Sequence, residues 1–384
     1  MVRIKKFLVR LLCCFVPVAK WRRNLRKYFL SRYDVPNLSN RQLFKYINYV
    51  CANMMSLIKE MRDCMSQKDA NFFFLLDRGL PLDENKIRLR DAVNAKMDSN
   101  EYKMVHNPCL CGASDDEIIA VRDRYGIKVN TVICKHCGLV RTSPYYDEES
   151  LGKFYNTEYR PLYTFWNNDF ELFFAQQTRT GERILDNLRK HIGFVPKGKI
   201  VYEIGTGMGG ILHPFMIQGA KIKGVDLGQE YIDIGKTKGL DLEVGSTDTL
   251  KQYPKADLLI LSHIVEHIVD PITFLTQCRD IVDDKGVIYV AVPTIEMVGT
   301  AYRNNIFGYL QNAHVYDFSA QTLCYVLECA GWSPLHIIVE QGTIIAKKVN
   351  KFRKRTDVDS ANYLWALNAL KKYDEIFYNR VVKG

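Results

Sequence analysis

Lys199-Ile-Val-Tyr-Glu203-Ile-Gly205-Thr-Gly207-Met-Gly209-Gly210 is the stretch from which the fold can be read. An apolar run long enough for one strand ends on an acid and an isoleucine. A glycine-rich turn follows and opens into a helix. The next apolar run, Lys221 to Val225, ends in Asp226, 21 residues after Gly205. A strand, a glycine turn and a second strand tipped with an acid form the first half of a nucleotide-binding α/β unit.

Two ligand classes use that geometry. Gly205, Gly207 and Gly210 satisfy the dinucleotide spacing, with an acid about 20 residues on. The alternative is S-adenosylmethionine, and Glu203 separates the two. A carboxylate beside the turn repels a pyrophosphate seated at the helix N-terminus, but suits a ligand carrying an ammonium and a sulfonium. Glycines let the backbone approach the methionine part, and Asp226 can accept from both ribose hydroxyls.

Beyond the turn, strands and helices alternate. Strands are expected at Leu240–Val244, Asp257–Leu261 and Val287–Val292, and helices at Ile272–Val282 and Ala320–Ala330. The last two apolar runs, His336–Val339 and Thr343–Val349, are separated only by Glu340-Gln-Gly342, so they must pair as a hairpin. The expectation is a seven-stranded, mostly parallel Rossmann-like sheet with an antiparallel last strand.

Upstream, four of the eleven cysteines cluster: Cys109-Leu-Cys111-Gly and Cys134-Lys-His-Cys137-Gly. Two knuckles of this kind suit a tetrahedral structural zinc, with glycines letting backbone amides turn toward the thiolates. A disulfide or free thiols are the other readings. The first knuckle is C-x-C, so His106 could replace one cysteine as ligand, and His136 sits inside the second knuckle. Four protein ligands leave no open position, which makes the metal structural.

The chain carries a formal charge of +10. Residues 1–33 hold ten Lys/Arg and no acid, leaving 43 basic and 43 acidic residues elsewhere. A neutral body argues against a broad nucleic-acid footprint. The leader's apolar stretch, Phe7 to Ala19, is too short to span a bilayer. Arg10 and the basic run after it argue against a cleaved signal. Trp21, Leu25, Phe29 and Leu30 at helical spacing among basic residues suit a helix lying on an anionic membrane surface, at the inner face. A solvated arm or an RNA-binding arm is the alternative.

The motifs EIGTGMGG (203–210), GVDLG (224–228), ADLLILSHIVEHIVDP (256–271) and VIYVAVP (287–293) resemble those of class I S-adenosylmethionine-dependent methyltransferases. The order of cysteine module, aromatic linker and this domain, with NAHVYDFSAQTL (312–323), resembles sugar and cell-surface-glycan methyltransferases with an N-terminal zinc-binding domain. The resemblance implies Gly205, Thr206 and Gly207 along the methionine part, Glu203 near its amino group and Asp226 on the ribose. It implies Ser246 or Thr247 near the adenine, Ser262 and His263 flanking the sulfonium, and His314 facing the acceptor.

A hydroxyl acceptor needs a general base, and His314 and His267 are the candidates; for His267, packing is the competing role. The expected acceptor is a glycan or nucleotide-sugar, with RNA or protein, or a non-catalytic scaffold, as alternatives. The expected organisation is a leader (1–33), a helical accessory region (34–105), a zinc-ribbon-like module (106–144), an aromatic linker or lid (145–180), the cofactor domain (181–350) and a C-terminal helix (351–384). Oligomeric state is not legible. The linker holds 11 aromatics in residues 145–174, including Tyr155, Tyr159, Tyr163 and Trp166. They can close over a ligand or join the two modules.

Overall fold

A computed structural model describes residue 80 and residues 82–163 and 169–383. The basic leader, most of the expected helical accessory region and Trp166 lie outside these. Residues 72–373 form one compact unit. Of the second unit, residues 1–71 with 374–384, only the end of the last helix is described.

Within the first unit, α1 (Glu84–Asp98) starts at Asp83, whose carboxylate accepts the Lys86 amide at 2.9 Å. The short strands that follow include β1 (Asp116–Ala120), β2 (Thr131–Cys134) and β3 (Val140–Thr142). Next come α2 (Glu148–Phe154), a π-helical turn (Tyr155–Tyr159) and the long α3 (Phe170–Ile192), which ends on left-handed Gly193. The α3 helix runs through the expected boundary at 180/181, because its amphipathic pattern begins inside the aromatic-rich segment.

The main sheet is built from β4 (Ile200–Ile204), β5 (Lys221–Asp226), β6 (Leu242–Val244), β7 (Ala256–Ser262) and β8 (Val282–Ala291). The helices α4 (Gln229–Thr237), α5 (Pro271–Cys278) and α6 (Ala320–Cys329) lie between strands. A two-residue strand, β9 (Tyr316–Asp317), precedes α6. The sheet closes with β10 (Trp332–Ile338) and β11 (Thr343–Lys348), and α7 (Ala361–Lys383) ends the chain.

Spatial order is β10-β11-β8-β7-β4-β5-β6, parallel except for β11. The expected hairpin is present: Ile337 pairs with Ile344 and Ile338 with Thr343. The central strands read as unbroken apolar runs because both faces are covered. Leu259, Leu261, Ile288 and Val290 pack on one side; Leu258, Ile260 and Tyr289 pack on the other. Each such buried side chain contributes about 1.5–3 kcal/mol.

One expected boundary is corrected. The helix expected to reach Val282 ends at Cys278, capped at its start by Asp270 and Pro271. Val282 already belongs to β8, paired with Ala256, and an irregularity between Val282 and Val287 absorbs Asp283-Asp284-Lys285-Gly286. The polar insert looks like a loop in sequence, but it is a bulge within one strand.

A second sheet, β9-β3-β2-β1, carries the cysteine module. Its edge strand, β9, comes from far along the chain: Tyr316 pairs with Arg141 and Asp317 with Val140. The segment expected to face the acceptor is thus part of the cysteine module's own sheet.

Candidate functional site

The glycine turn leaves the C-terminal edge of β4 with Gly205, Gly207 and Gly209 all at positive φ, between 55° and 75°. Only glycine adopts this region cheaply. At Gly205 the space is closed as well, since a β-carbon there would meet Ile264 Cδ1 at 2.0 Å. The loop that follows β7 therefore lies directly on the turn.

Asp226, at the end of β5, accepts the Gly207 amide at 2.9 Å and the Gly228 amide at 2.7 Å, one on each carboxylate oxygen. It is half-buried, so the carboxylate is fixed in direction and still reachable. Leu227 beside it is 81% exposed, an apolar surface next to an acid at the sheet edge. Glu203 is 1% exposed and accepts from Thr206 Oγ1 at 2.7 Å. Burial pushes its carboxyl well above the usual range. Its visible role is to brace the turn from beneath.

Ser246 is exposed at the start of a short helix (Thr247–Leu250), and Thr247 is buried in the first turn. Ser262 ends β7 half-buried. His263 takes a left-handed φ of 58°, unusual for a non-glycine residue, and its side chain is 58% exposed. These residues line the edge from β6 to β7, beside the glycine turn.

The loop after β7 concentrates the titratable chemistry. Glu266 is fully buried, and neither carboxylate oxygen has a hydrogen-bond donor. His263 Nδ1 lies 3.4 Å from it and His267 Nε2 3.9 Å. Burial pushes the Glu266 carboxyl up, but the three surrounding histidines outweigh this and hold it below its usual value. His267 Nδ1 lies 2.9 Å from the Ala313 carbonyl, which assigns the proton to Nδ1 and leaves Nε2 as the basic nitrogen. Tyr155 Oη is 3.1 Å from the same Nδ1. Burial lowers His267 to about 4.

His314 stands 5.0 Å from His267, ring centre to ring centre. It is 2% exposed, with Nδ1 3.3 Å from Asp317 Oδ1 and Nε2 against the Gln311 amide. Burial lowers His314 to about 3 and raises Asp317 well above the carboxylate range. Glu266, His267 and His314 each present a donor atom within 4.8 Å of the others, a set that a proton or a divalent cation would satisfy. The structure thus brings both candidate bases together. It leaves His267 the freer of the two.

The aromatic segment joins the cysteine module to the loop after β7. Tyr155, Tyr159 and Tyr163 stack in series beside His267, and Tyr163 Oη donates to Asp123 of the cysteine module. Gln177, on α3, was not singled out in the sequence. Its amide donates to the Thr206 carbonyl at 3.0 Å and accepts from the Gly210 amide at 3.3 Å, tying the turn to the helix. No local pattern marks it, since it acts from 28 residues before Gly205. The burial of Glu266 is equally silent in sequence.

The four module cysteines are buried free thiols whose sulfurs lie within 4.8 Å of one another. Cys109 and Cys137 are 3.4 Å apart, Cys111 and Cys134 3.7 Å. A tetrahedron of sulfurs about 2.3 Å from zinc has edges of about 3.8 Å, so the donor set and its spacing fit the ion. His106 and His136 are exposed and stand outside the cluster, so the C-x-C knuckle supplies both of its cysteines. Among the described residues, no helix is long and apolar enough to cross a membrane.

Comparison with known proteins agrees with this layout. Residues 174–337 match the family model described as a methyltransferase domain. A ubiquinone biosynthesis O-methyltransferase of Chelativorans sp. is 26% identical over 38% of this chain and 59% of its own length. Its counterpart from Shewanella pealeana is 31% identical over 29% of this chain and 50% of its own length. The chain thus spans about half to three fifths of these relatives.

Among solved structures, the 1,6-didemethyltoxoflavin-N1-methyltransferase of Burkholderia thailandensis aligns with 55% of this chain and 96% of its own. Its TM-score is 0.39 at 15% identity. The magnesium protoporphyrin IX methyltransferase of Synechocystis aligns with 52% and 98%, with a TM-score of 0.38 at 15% identity.

Proposed function

We propose that this chain is an S-adenosylmethionine-dependent methyltransferase acting on a small hydroxyl-bearing acceptor. The observation that carries the cofactor reading is Asp226, held between the Gly207 and Gly228 amides beside three left-handed glycines. Those glycines would let the backbone approach the methionine part, and the Asp226 carboxylate would accept from the ribose hydroxyls. Leu227 offers the apolar face for the adenine, next to Ser246 and Thr247. Ser262 and His263, at the end of β7, would flank the sulfonium. The bound group supplies an electrophilic methyl.

The chain's own residues supply orientation and a base. In-line transfer needs the acceptor oxygen about 3 Å from the methyl carbon, so positioning carries much of the rate. The acceptor proton passes to His267 Nε2, and the imidazolium so formed is stabilised by the buried Glu266 carboxylate. His314, braced by Asp317 and Gln311, forms the wall opposite. Within the hydroxyl acceptors we favour a sugar of a cell-surface glycan, or its nucleotide-sugar or lipid-linked precursor, met at the cytoplasmic membrane face. The basic residues 1–33 support that location. The ubiquinone O-methyltransferase relatives support hydroxyl chemistry on a small molecule.

Cys109, Cys111, Cys134 and Cys137 would hold a structural zinc whose role is to fold the module. The test is calorimetric titration with adenosylhomocysteine, followed by mass-spectrometric detection of methyl transfer to candidate nucleotide-sugars. Saturable binding that Asp226→Ala abolishes is the expected result. No binding, or binding of NAD in its place, sinks the reading.

A further inference from the structure

We propose that Arg124 of the cysteine module is an anion-binding residue that grips a phosphoryl or carboxylate group on the acceptor. The inference rests on the acceptor site proposed above and names a chemical feature its occupant must carry.

Arg124 lies in the β1–β2 turn, and its backbone amide donates to the Leu310 carbonyl at 2.9 Å. Asp123 beside it accepts the Asn312 amide at 3.0 Å. The turn is thereby fastened to the segment that leads into His314. The guanidinium lies over two tyrosine rings, 4.9 Å from the centre of Tyr125 and 5.1 Å from that of Tyr163. Two aromatic faces hold the plane of an arginine while leaving its edge free to bond.

Among the described residues no carboxylate oxygen forms a close ion pair with the guanidinium, although its charge acts on Asp123 beside it. Asp123 is the nearest carboxylate in sequence, and both of its oxygens are spent, on the Tyr125, Ile127 and Asn312 amides and the Tyr163 hydroxyl. Burial raises its carboxyl above the usual range, against the three backbone amides and the Arg124 charge that favour the anion. Arg124 Nε is itself buried and lacks a hydrogen-bond partner, as do the Tyr125 hydroxyl and Asn312 Oδ1 close by. A half-buried cation of fixed orientation with an unspent donor calls for an anion. The Arg124 amide on Leu310 and the Asn312 amide on Asp123 fix this turn against the 310–314 segment, so an anion on the guanidinium sits on the acceptor side. This also gives the cysteine module a purpose: it delivers a cation to a methyltransferase domain.

The experiment titrates the full chain, saturated with adenosylhomocysteine, with inorganic pyrophosphate, uridine diphosphate and glucuronate. At least one should bind saturably, and the strongest identifies the group. Arg124→Gln should weaken that binding about 10–100-fold, with adenosylhomocysteine affinity and melting temperature unchanged. Arg124→Lys, which keeps the charge but loses the fork, should fall between and guards against misfolding of the first variant. Absence of binding by all three anions, or equal affinity in wild type and both variants, overturns the proposal. Anion binding that depends on Arg124 in a protein that ignores adenosylhomocysteine would sink the cofactor reading and leave this one standing.

Discussion

Thr142 donates its hydroxyl to the carbonyl of His314 at 2.9 Å, and its amide donates to the carbonyl of Val315 at 2.9 Å. The last residue of β3 thus holds a segment 172 positions away that carries a candidate base. Tyr146 receives the Asn312 side-chain amide at 2.8 Å in the same region. The cysteine module and the acceptor loop share one sheet, so what disturbs one must disturb the other. Thr142→Val removes a buried hydroxyl donor and leaves its carbonyl partner short. It should cost about 1 kcal/mol in denaturant unfolding and lower kcat while leaving adenosylhomocysteine affinity unchanged. An equal loss of cofactor affinity would show that the coupling runs elsewhere.

The four-thiol cluster predicts a metal content. Purified protein should carry one zinc per chain by elemental mass spectrometry. Cys134→Ser should lose it and, with it, the closure of the module. A loss of about 3 kcal/mol should appear as a lower melting temperature. Metal-free protein with an unchanged melting curve would rule out the ion as a structural element.

Gly205→Ala tests the turn. A left-handed φ costs a β-carbon residue about 1–2 kcal/mol, and Ile264 Cδ1 occupies the space the new atom needs. Binding of adenosylhomocysteine should be lost and stability reduced by about 2–4 kcal/mol. Adding Ile264→Ala should return the steric part of the stability and none of the backbone part. Full rescue by the second substitution would show that φ at Gly205 carries no strain.

What could be read in advance was what acts locally. The glycine turn, Asp226 and the β10–β11 hairpin each declare themselves within a dozen residues, because a sharp turn or a short connection leaves the backbone few options. What stayed hidden is settled by pairing at long range. Gln177 braces a turn it precedes by a whole helix. Glu266 reads as a neighbour of His267 until the fold buries it. Tyr316 and Asp317 look like loop residues because their sheet partners, Arg141 and Val140, lie some 175 positions earlier. The histidines were legible as candidates, but their burial, which decides how they titrate, was not.

His267 and His314 make stability depend on acidity. Burial depresses their values to about 4 and about 3, from 6.5 in the unfolded chain. The folded state therefore binds fewer protons than the unfolded state between those values. The stability is present above pH 6.5 and is lost as pH falls toward 4 and then 3. For His267 the shift corresponds to about 3 kcal/mol at neutral pH. Melting temperature should fall steadily from pH 6.5 to 4, and His267→Gln should flatten that slope. A wild-type slope retained in the variant would place the acid sensitivity in other groups.

Glu266→Gln separates stability from catalysis. In the folded protein Glu266 holds a carboxylate out of water with no hydrogen-bond donor on either oxygen. Such a group costs stability and is tolerated where it serves a reaction. A neutral amide of the same shape removes the desolvation cost, so the variant should unfold at the same or higher denaturant concentration than wild type. It also removes the charge that stabilises His267 once protonated. Turnover should then fall by about 100-fold or more, in the range that general-base catalysis supplies, with cofactor affinity preserved. A variant that is destabilised yet fully active would assign Glu266 to structure alone.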